Sequence, residues 1–242
     1  MQRNHRRVTA PHRSAVSGGV LAAGAVALFV GTLFYTRLTP RLGLPALPAE
    51  RTQALADVLA LGSQRLFLAG GLAFLGDCLL LAGCFGLARG GARPGDLAAA
   101  GWSLLAVSAA TAMIFDSMMA VLFWPLAHAA DAAPFLAFKA WFDFLFAAAN
   151  VLFGLGCLAV LWGDLRSEER LLPKGLNYAG LAVYAAAAVS GFGYISGLLH
   201  LPLVVGLTVA FGSIVIAVLG VQIARNEAIA VAVDEVADEA PL

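Results

Sequence analysis

The chain has 242 residues, 61% of them hydrophobic and 12% charged, with no formal net charge at pH 7 and a mean hydropathy of +0.86. A soluble globular domain of this length carries about 25% charged residues. The composition therefore excludes an ordinary soluble fold and points to a chain that lives in a bilayer.

The chain opens on a basic stretch, residues 1–13, with Arg3, Arg6, Arg7 and Arg13. The apolar run 14–35 follows. At about 22 residues it exceeds the usual 7 to 15 of a secretory signal core, and Tyr35 to Thr39 offers no small-residue cleavage site, so it reads as an uncleaved helix. Next comes "PALPAERTQALADVLALG", Pro45 to Gly62, with Leu55, Val58, Leu59 and Gly62 at helical spacing among Glu50, Arg51, Gln53 and Asp57. It reads as a short helix on the outer membrane surface or as a solvated connector.

Five more runs reach the roughly 20 apolar residues that a membrane-spanning helix needs. They cover 66–87, 97–126, 140–162, 176–195 and 203–223. Barrel strands are short and alternate polar with apolar residues, whereas these runs are continuous, so the expected fold is all-α: one bundle of six transmembrane helices over 14–225. Trp102 and Trp162 fall at one level of helices three and four and Trp124 and Trp141 at the other, where indoles anchor to membrane interfaces. Beyond Asn226 the tail gathers Glu227, Asp234, Glu235, Asp238 and Glu239 and reads as disordered.

Charge sets the orientation. The side bearing both termini holds about ten Lys and Arg, including Arg89, Arg93, Arg166, Arg170, Lys174 and Arg225, against about five on the other, Arg37, Arg41, Arg51, Arg65 and Lys139. Both termini are thus expected in the cytoplasm, in a bacterial inner membrane. The Arg-rich start is a topology signal that also suits anionic lipid and gives no case for nucleic acid.

Polar residues inside the runs carry the functional question. Asp77 stands in "GLAFLGDCLLLAGC" with about ten uncharged residues on each side, and at about 1.5 Å of rise per residue it lies near the bilayer midplane. Asn150 lies at nearly the same level. Gly70, Asp77 and Cys84 on one helix, and Asp143, Asn150 and Cys157 on another, are spaced by seven, so each trio forms one stripe and the stripes share register. Asp77 is expected to face Asn150, directly or across a cavity. Asp116 sits a little outward of the midplane, Lys139, Asp143 and His128 lie at the rim, and Tyr184 and Ser213 lie near mid-depth. An ionisable group at the membrane centre costs at least about 2.5 to 3.5 kcal/mol and is a functional candidate by default. The candidate binding residues are therefore Asp77, Asp116, Asn150, Asp143, Tyr184 and Ser213. Structurally, a protonated carboxyl can instead glue two helices by a hydrogen bond, and Asp143 with Lys139 four residues earlier reads as a solvated surface pair.

Other constellations are thin. His128, Asp131 and His200 lack any metal-ligand spacing, and three cysteines within helices make no disulfide framework. No phosphate loop, HExxH or serine elbow occurs, so neither a cofactor nor a metal nor a catalytic group is expected, and the reading leans away from an enzyme. Pro125, Pro134, Pro173 and Pro202 all fall at helix ends, which suggests a bundle without broken helices.

Phe153 to Tyr184, "FGLGCLAVLWGDLRSEERLLPKGLNYAGLAVY", combines a glycine-paired helix, a short charged loop, Leu-Pro-basic, and a helix that opens with Gly-Leu. This arrangement, with the long outer loop after helix one, resembles a bacterial family of six-helix integral membrane proteins known only as a domain of unknown function. The resemblance implies the fold and a membrane location and brings no catalytic residues. Two functional classes follow: a small-molecule or proton-linked protein whose polar site opens to the outer face, or an accessory subunit that binds another membrane protein or a second copy of itself, with the carboxyls as internal glue.

Overall fold

The computed structural model describes residues 9–38, 44–90, 97–168 and 170–239. The expected basic residues Arg3, Arg6, Arg7, Arg41 and Arg93 lie outside the described residues. Among the described residues eight α-helices follow one another: α1 (Thr9–Leu38), α2 (Arg51–Leu61), α3 (Ser63–Gly90), α4 (Leu97–Ser117), α5 (Phe123–Ala127), α6 (Ala133–Arg166), α7 (Lys174–Ile195) and α8 (Pro202–Glu239). A 3-10 turn, Pro48–Glu50, leads into α2, and a π-helical turn, Met118–Leu122, joins α4 to α5 in one continuous rod. Six of these rods are long and apolar enough to cross a membrane, so the chain is a multi-pass helical membrane protein.

The six long helices close a ring in chain order. α1 packs on α3, α3 on α4, α4 on α6, α6 on α7, α7 on α8, and α8 returns to α1. Glycines set the close approaches. A Cβ at Gly24 of α1 would come 2.7 Å from Leu80 N of α3, one at Gly220 of α8 would come 2.6 Å from Gly18 O of α1, and one at Gly101 of α4 would come 2.8 Å from Gly156 O of α6. In hydrocarbon no hydrophobic force drives helices together, so such backbone contact supplies the van der Waals energy instead. Outward the ring presents Phe67, Leu75, Val107, Ile114, Phe192 and Phe211, all more than half exposed or close to it, as a surface for lipid tails. For orientation, the end with residues 9 and 239 is the terminal end, and the end with α2 is the capped end.

Several elements depart from the sequence reading. α6 begins at Ala133, not 140, because Pro134 occupies its first turn, where a missing N–H costs nothing, and Asp131 Oδ1 accepts from Ala133 N at 3.0 Å. The rod expected as a plain helix over 97–126 contains the π-turn. Pro125 has no N–H for the carbonyl of Val121 and would clash with it in α geometry, and the widened turn spans that carbonyl. α2 packs onto the end of the bundle: Ala54 and Val58 are fully buried in the cluster that holds Phe123, Phe135 and Phe142, so α2 caps it. Trp102, at the expected level near the start of α4, turns into the core, while Trp141 and Trp162 are exposed. The acidic tail, expected disordered, continues α8 to Glu239. Its Ala- and Glu-rich sequence propagates an existing helix and needs no new nucleus. Residues 240–242 lie outside the described residues.

The ring contacts predict a contrast between glycines. Gly24→Val drives a side chain into the backbone of α3 and lowers stability by about 1 to 3 kcal/mol. At Gly71, where nothing lies within 4 Å of a built Cβ, the same substitution leaves stability near that of the parent. Thermal unfolding of the two variants in one detergent checks this, and equal losses would contradict the packing scheme.

Candidate functional site

Inside the ring, toward the capped end, lies a cavity of about 60 Å³. A water needs roughly 10 to 15 Å³ measured this way, so the space holds about four to six water-sized groups. Its polar lining is Asp77 of α3, Ser108 and Asp116 of α4 and Asn150 of α6, with Thr32 of α1. Phe115, Phe146 and Phe153 form aromatic walls, and Leu44, from the segment before α2, lines the cavity from the capped side. Toward the terminal end, Leu21, Leu80, Cys84, Leu105, Cys157 and Ile216 pack into one buried cluster that closes the floor. A void of about 10 Å³, beside Asp77 and Cys84, interrupts it.

Asp77 is 3% exposed and Asp116 1%. Their carboxyl groups are neighbours in the cavity wall, one from α3 and one from α4. Asp77 Oδ2 has no hydrogen-bond partner among the described residues. Asn150, 4% exposed, donates through Nδ2 to Ala187 O of α7 at 3.0 Å, which fixes the amide's orientation and leaves Oδ1 in the buried interior with no partner. Ser108 Oγ donates to Ala149 O at 2.8 Å. The π-turn begins at Met118, two residues after Asp116, and Gly70 lets α3 approach so closely that a Cβ there would lie 2.8 Å from both Asp116 O and Ala120 N.

Of the six candidate residues, the structure brings Asp77, Asp116 and Asn150 to this cavity. Asp77 and Asn150 share it as their common level implies, yet neither hydrogen-bonds the other: Asp77 engages Asp116 and Asn150 engages α7. The other three have separate tasks. Tyr184 is fully buried and donates to Gly212 O, joining α7 to α8 where a glycine leaves room for the ring. Ser213 Oγ donates to Val209 O of its own helix at 2.7 Å.

Asp143 overturns its sequence reading. It is no solvated pair with Lys139, since both side chains are fully buried. Lys139 Nζ donates to Asp143 Oδ1 and, at 3.0 Å, to Leu44 O, while Arg51 Nε of α2 donates to Asp143 Oδ2 at 3.0 Å. Tyr194 Oη donates to Ala46 O at 2.9 Å. Residues 44–51 are thus latched across the mouth of the ring, directly above the cavity. Burial works to lower the pKa of Arg51, but its bonds to Asp143 and Tyr194 outweigh that and hold it above its ordinary value, so it remains a cation.

Sequence reasoning also missed Asp164. Its carboxylate accepts from Leu171 N at 2.7 Å, Leu172 N at 3.2 Å and Asn177 Nδ2 at 2.8 Å, folding the α6–α7 loop back on the terminal end. The signal available was an Asp in the last turn of a helix, just ahead of a short loop. His128 Nδ1 meets Trp124 O at 3.0 Å, Asp131 caps α6, and His200 Nε2 lies 3.3 Å from Glu50 Oε2. Among the described residues no three His, Cys, Asp or Glu gather as metal ligands.

Fold and site together define a class: a polytopic membrane bundle with a latched, carboxyl-lined interior cavity. Compared with protein-family models, curated proteins and solved structures, the chain matches none.

The latch makes a measurable demand. Removing one member of a buried ion pair strands the other charge, so Asp143→Asn is expected to cost about 3 to 5 kcal/mol, and the double replacement Lys139→Met with Asp143→Leu far less. Unfolding of both variants in detergent tests it. If Asp143→Asn proves neutral, the latch is no structural element.

Proposed function

We propose that this chain is an integral protein of a bacterial inner membrane that binds a small molecule or a proton at Asp77, Asp116 and Asn150, from the outer face. The capped end is the outer end in this reading, and both termini are cytoplasmic, in keeping with the Lys and Arg asymmetry. Kinship with the six-helix bacterial family is part of the same proposal and rests on the stretch Phe153–Tyr184.

One observation carries the reading. Among the described residues, acceptor atoms of Asp77 and Asn150 stand without partners in the buried interior, and both side chains line a space with room for a ligand. A group buried that way costs free energy in a finished scaffold and none once a ligand or water fills it. The asymmetry of the two ends supports access from one side: a packed floor toward the termini, and opposite it a roof held by a few polar bonds.

A second reading draws on the Asp77–Asp116 contact itself, which bridges α3 and α4 and would serve as glue in an accessory subunit that holds a membrane-protein partner or a second copy. The two part over water. Methyl methanethiosulfonate is small and neutral and attacks thiolates, so it modifies thiols in contact with water. Asp77→Cys is expected to be modified, while Cys84 and Cys157, both buried in the packed floor, stay unmodified in the same sample. An unreactive Cys at 77 would favour the glue reading. Orientation has its own check: of cysteines placed at Ala49 and Ser167, both exposed positions, a membrane-impermeant reagent should label the first in intact cells and not the second. The reverse pattern would invert the topology.

A further inference from the structure

A second space lies at the capped end, on the outward side of the ring. Among the described residues it shares no lining residue with the interior cavity. It is a groove of about 470 Å³ between the segment that leads into α2, the start of α6 and the turn from α7 to α8. In that turn Gly197 takes the left-handed conformation (φ 70°), and Leu198 N and Leu199 N both donate to Gly193 O at 3.0 Å, which sets the two leucines as one wall. Leu47, Phe144 and Ile195 add to the apolar lining. All five side chains are 41% exposed or more, so the groove opens on the outward face and not into the bundle.

Its depth suits a lipid headgroup. At about 1.5 Å of rise per residue, Ala140 in the groove lies about 15 Å along α6 from Asn150, the middle of that helix, where a hydrocarbon layer about 30 Å thick gives way to phosphates. Trp141 beside it is exposed, as an indole at that boundary is expected to be. The polar end of the groove carries Arg51, Tyr194 and His200. Arg51 donates through Nε to Asp143 and through Nη2, at 3.4 Å, to Tyr194 Oη, which takes two of its five N–H donors. It also shares the charge of Asp143 with Lys139, which bonds the other carboxylate oxygen. Donors and positive charge therefore remain for the groove. Glu50, at the rim, is turned to other partners: its Oε2 accepts from Leu47 N at 2.9 Å and lies 3.3 Å from His200 Nε2.

From these features we propose that the groove holds a phospholipid of the surrounding bilayer, a phosphate oxygen accepting from Arg51 and an acyl chain lying against Phe144, Ile195, Leu198 and Leu199. The planar guanidinium fork matches phosphate geometry, and the apolar walls beside it match the chain. This site stands apart from the interior cavity and does not depend on what the cavity binds.

The test uses native mass spectrometry of the full-length protein released from detergent, with three probes added in turn. Dioleoyl phosphatidylglycerol has both parts, dioleoylglycerol has the chains without the phosphate, and glycerol 3-phosphate has the phosphate without the chains. Phosphatidylglycerol is expected to bind about tenfold or more tighter than either of the others. Arg51→Gln should weaken its binding by a similar factor, and so should Ala140→Trp, which fills the groove and leaves the bonds of Arg51 in place. Val107→Trp, at an exposed position of α4 away from the groove, should bind as the parent does. Each variant is first required to elute as the parent does on size exclusion. Leu198→Glu, at a position 78% exposed and outside the latch, stands in for a groove variant that does not: its carboxylate repels the phosphate and weakens binding. Failure of phosphatidylglycerol to bind would overturn the proposal, as would equal binding of dioleoylglycerol, which needs no phosphate contact, or of glycerol 3-phosphate, which makes the groove a seat for soluble anions. Phosphatidylglycerol binding left unchanged by the groove variants would overturn it too, since the lipid then sits elsewhere.

Discussion

Hydrocarbon offers no partner for a polar group, and this constraint organises the whole molecule. Backbone groups pair within helices, and the helices must then turn every charged side chain of their middle stretches away from lipid. Asp77, Asp116, Lys139, Asp143 and Asp164 all do so. Six helices in a closed ring give those groups an interior, and glycine-mediated contacts bring the backbones close without a hydrophobic drive. Where the ring is too wide for side chains to fill, a cavity remains, and its lining is what the inward-turned polar residues make of it.

The interior groups divide into two sorts. Those near the ends are satisfied: Asp164 by two backbone N–H groups and Asn177, Asp143 by Lys139 and Arg51. At the centre, among the described residues, Asp77 and Asn150 each keep an acceptor without a partner. Between the two levels stand the π-turn after Asp116 and the roof residue Leu44. A π-turn has backbone carbonyls out of α register and is common at functional sites, and Leu44 is held by the same Lys139 that neutralises Asp143. The latch is therefore coupled to the cavity through one residue: whatever loosens the Asp143 cluster also loosens the roof.

Much of this was legible in the residues and some was not, for physical reasons. Length and composition located six spans, and the heptad stripes placed Asp77 and Asn150 at one level, because helical rise and twist are nearly invariant. Hydrogen-bond choice was not readable: whether Asn150 turns to α3 or to α7 depends on rotation about helix axes, which spacing by seven leaves free. Asp143 was misjudged because one of its partners, Arg51, is 92 residues away in a segment that folds onto the bundle only through tertiary contact. That Trp102 turns into the core was not readable, because depth along a helix says nothing of which face a ring occupies. The π-turn had its signal in Pro125, whose missing N–H acts one turn upstream of the proline itself.

A ligand site open to the outer face requires the carboxyls of Asp77 and Asp116 to be in contact with water at the heart of the bundle. Infrared spectroscopy of the purified protein on transfer from H2O to D2O tests it most directly, with the Asp77→Asn and Asp116→Asn variants assigning the protonated-carboxyl stretching band. With water in contact, this band is expected to shift as its proton exchanges for deuterium while the helical amide protons around it stay protected. A carboxyl band assigned to these residues that ignores D2O until the bundle itself unfolds would contradict it.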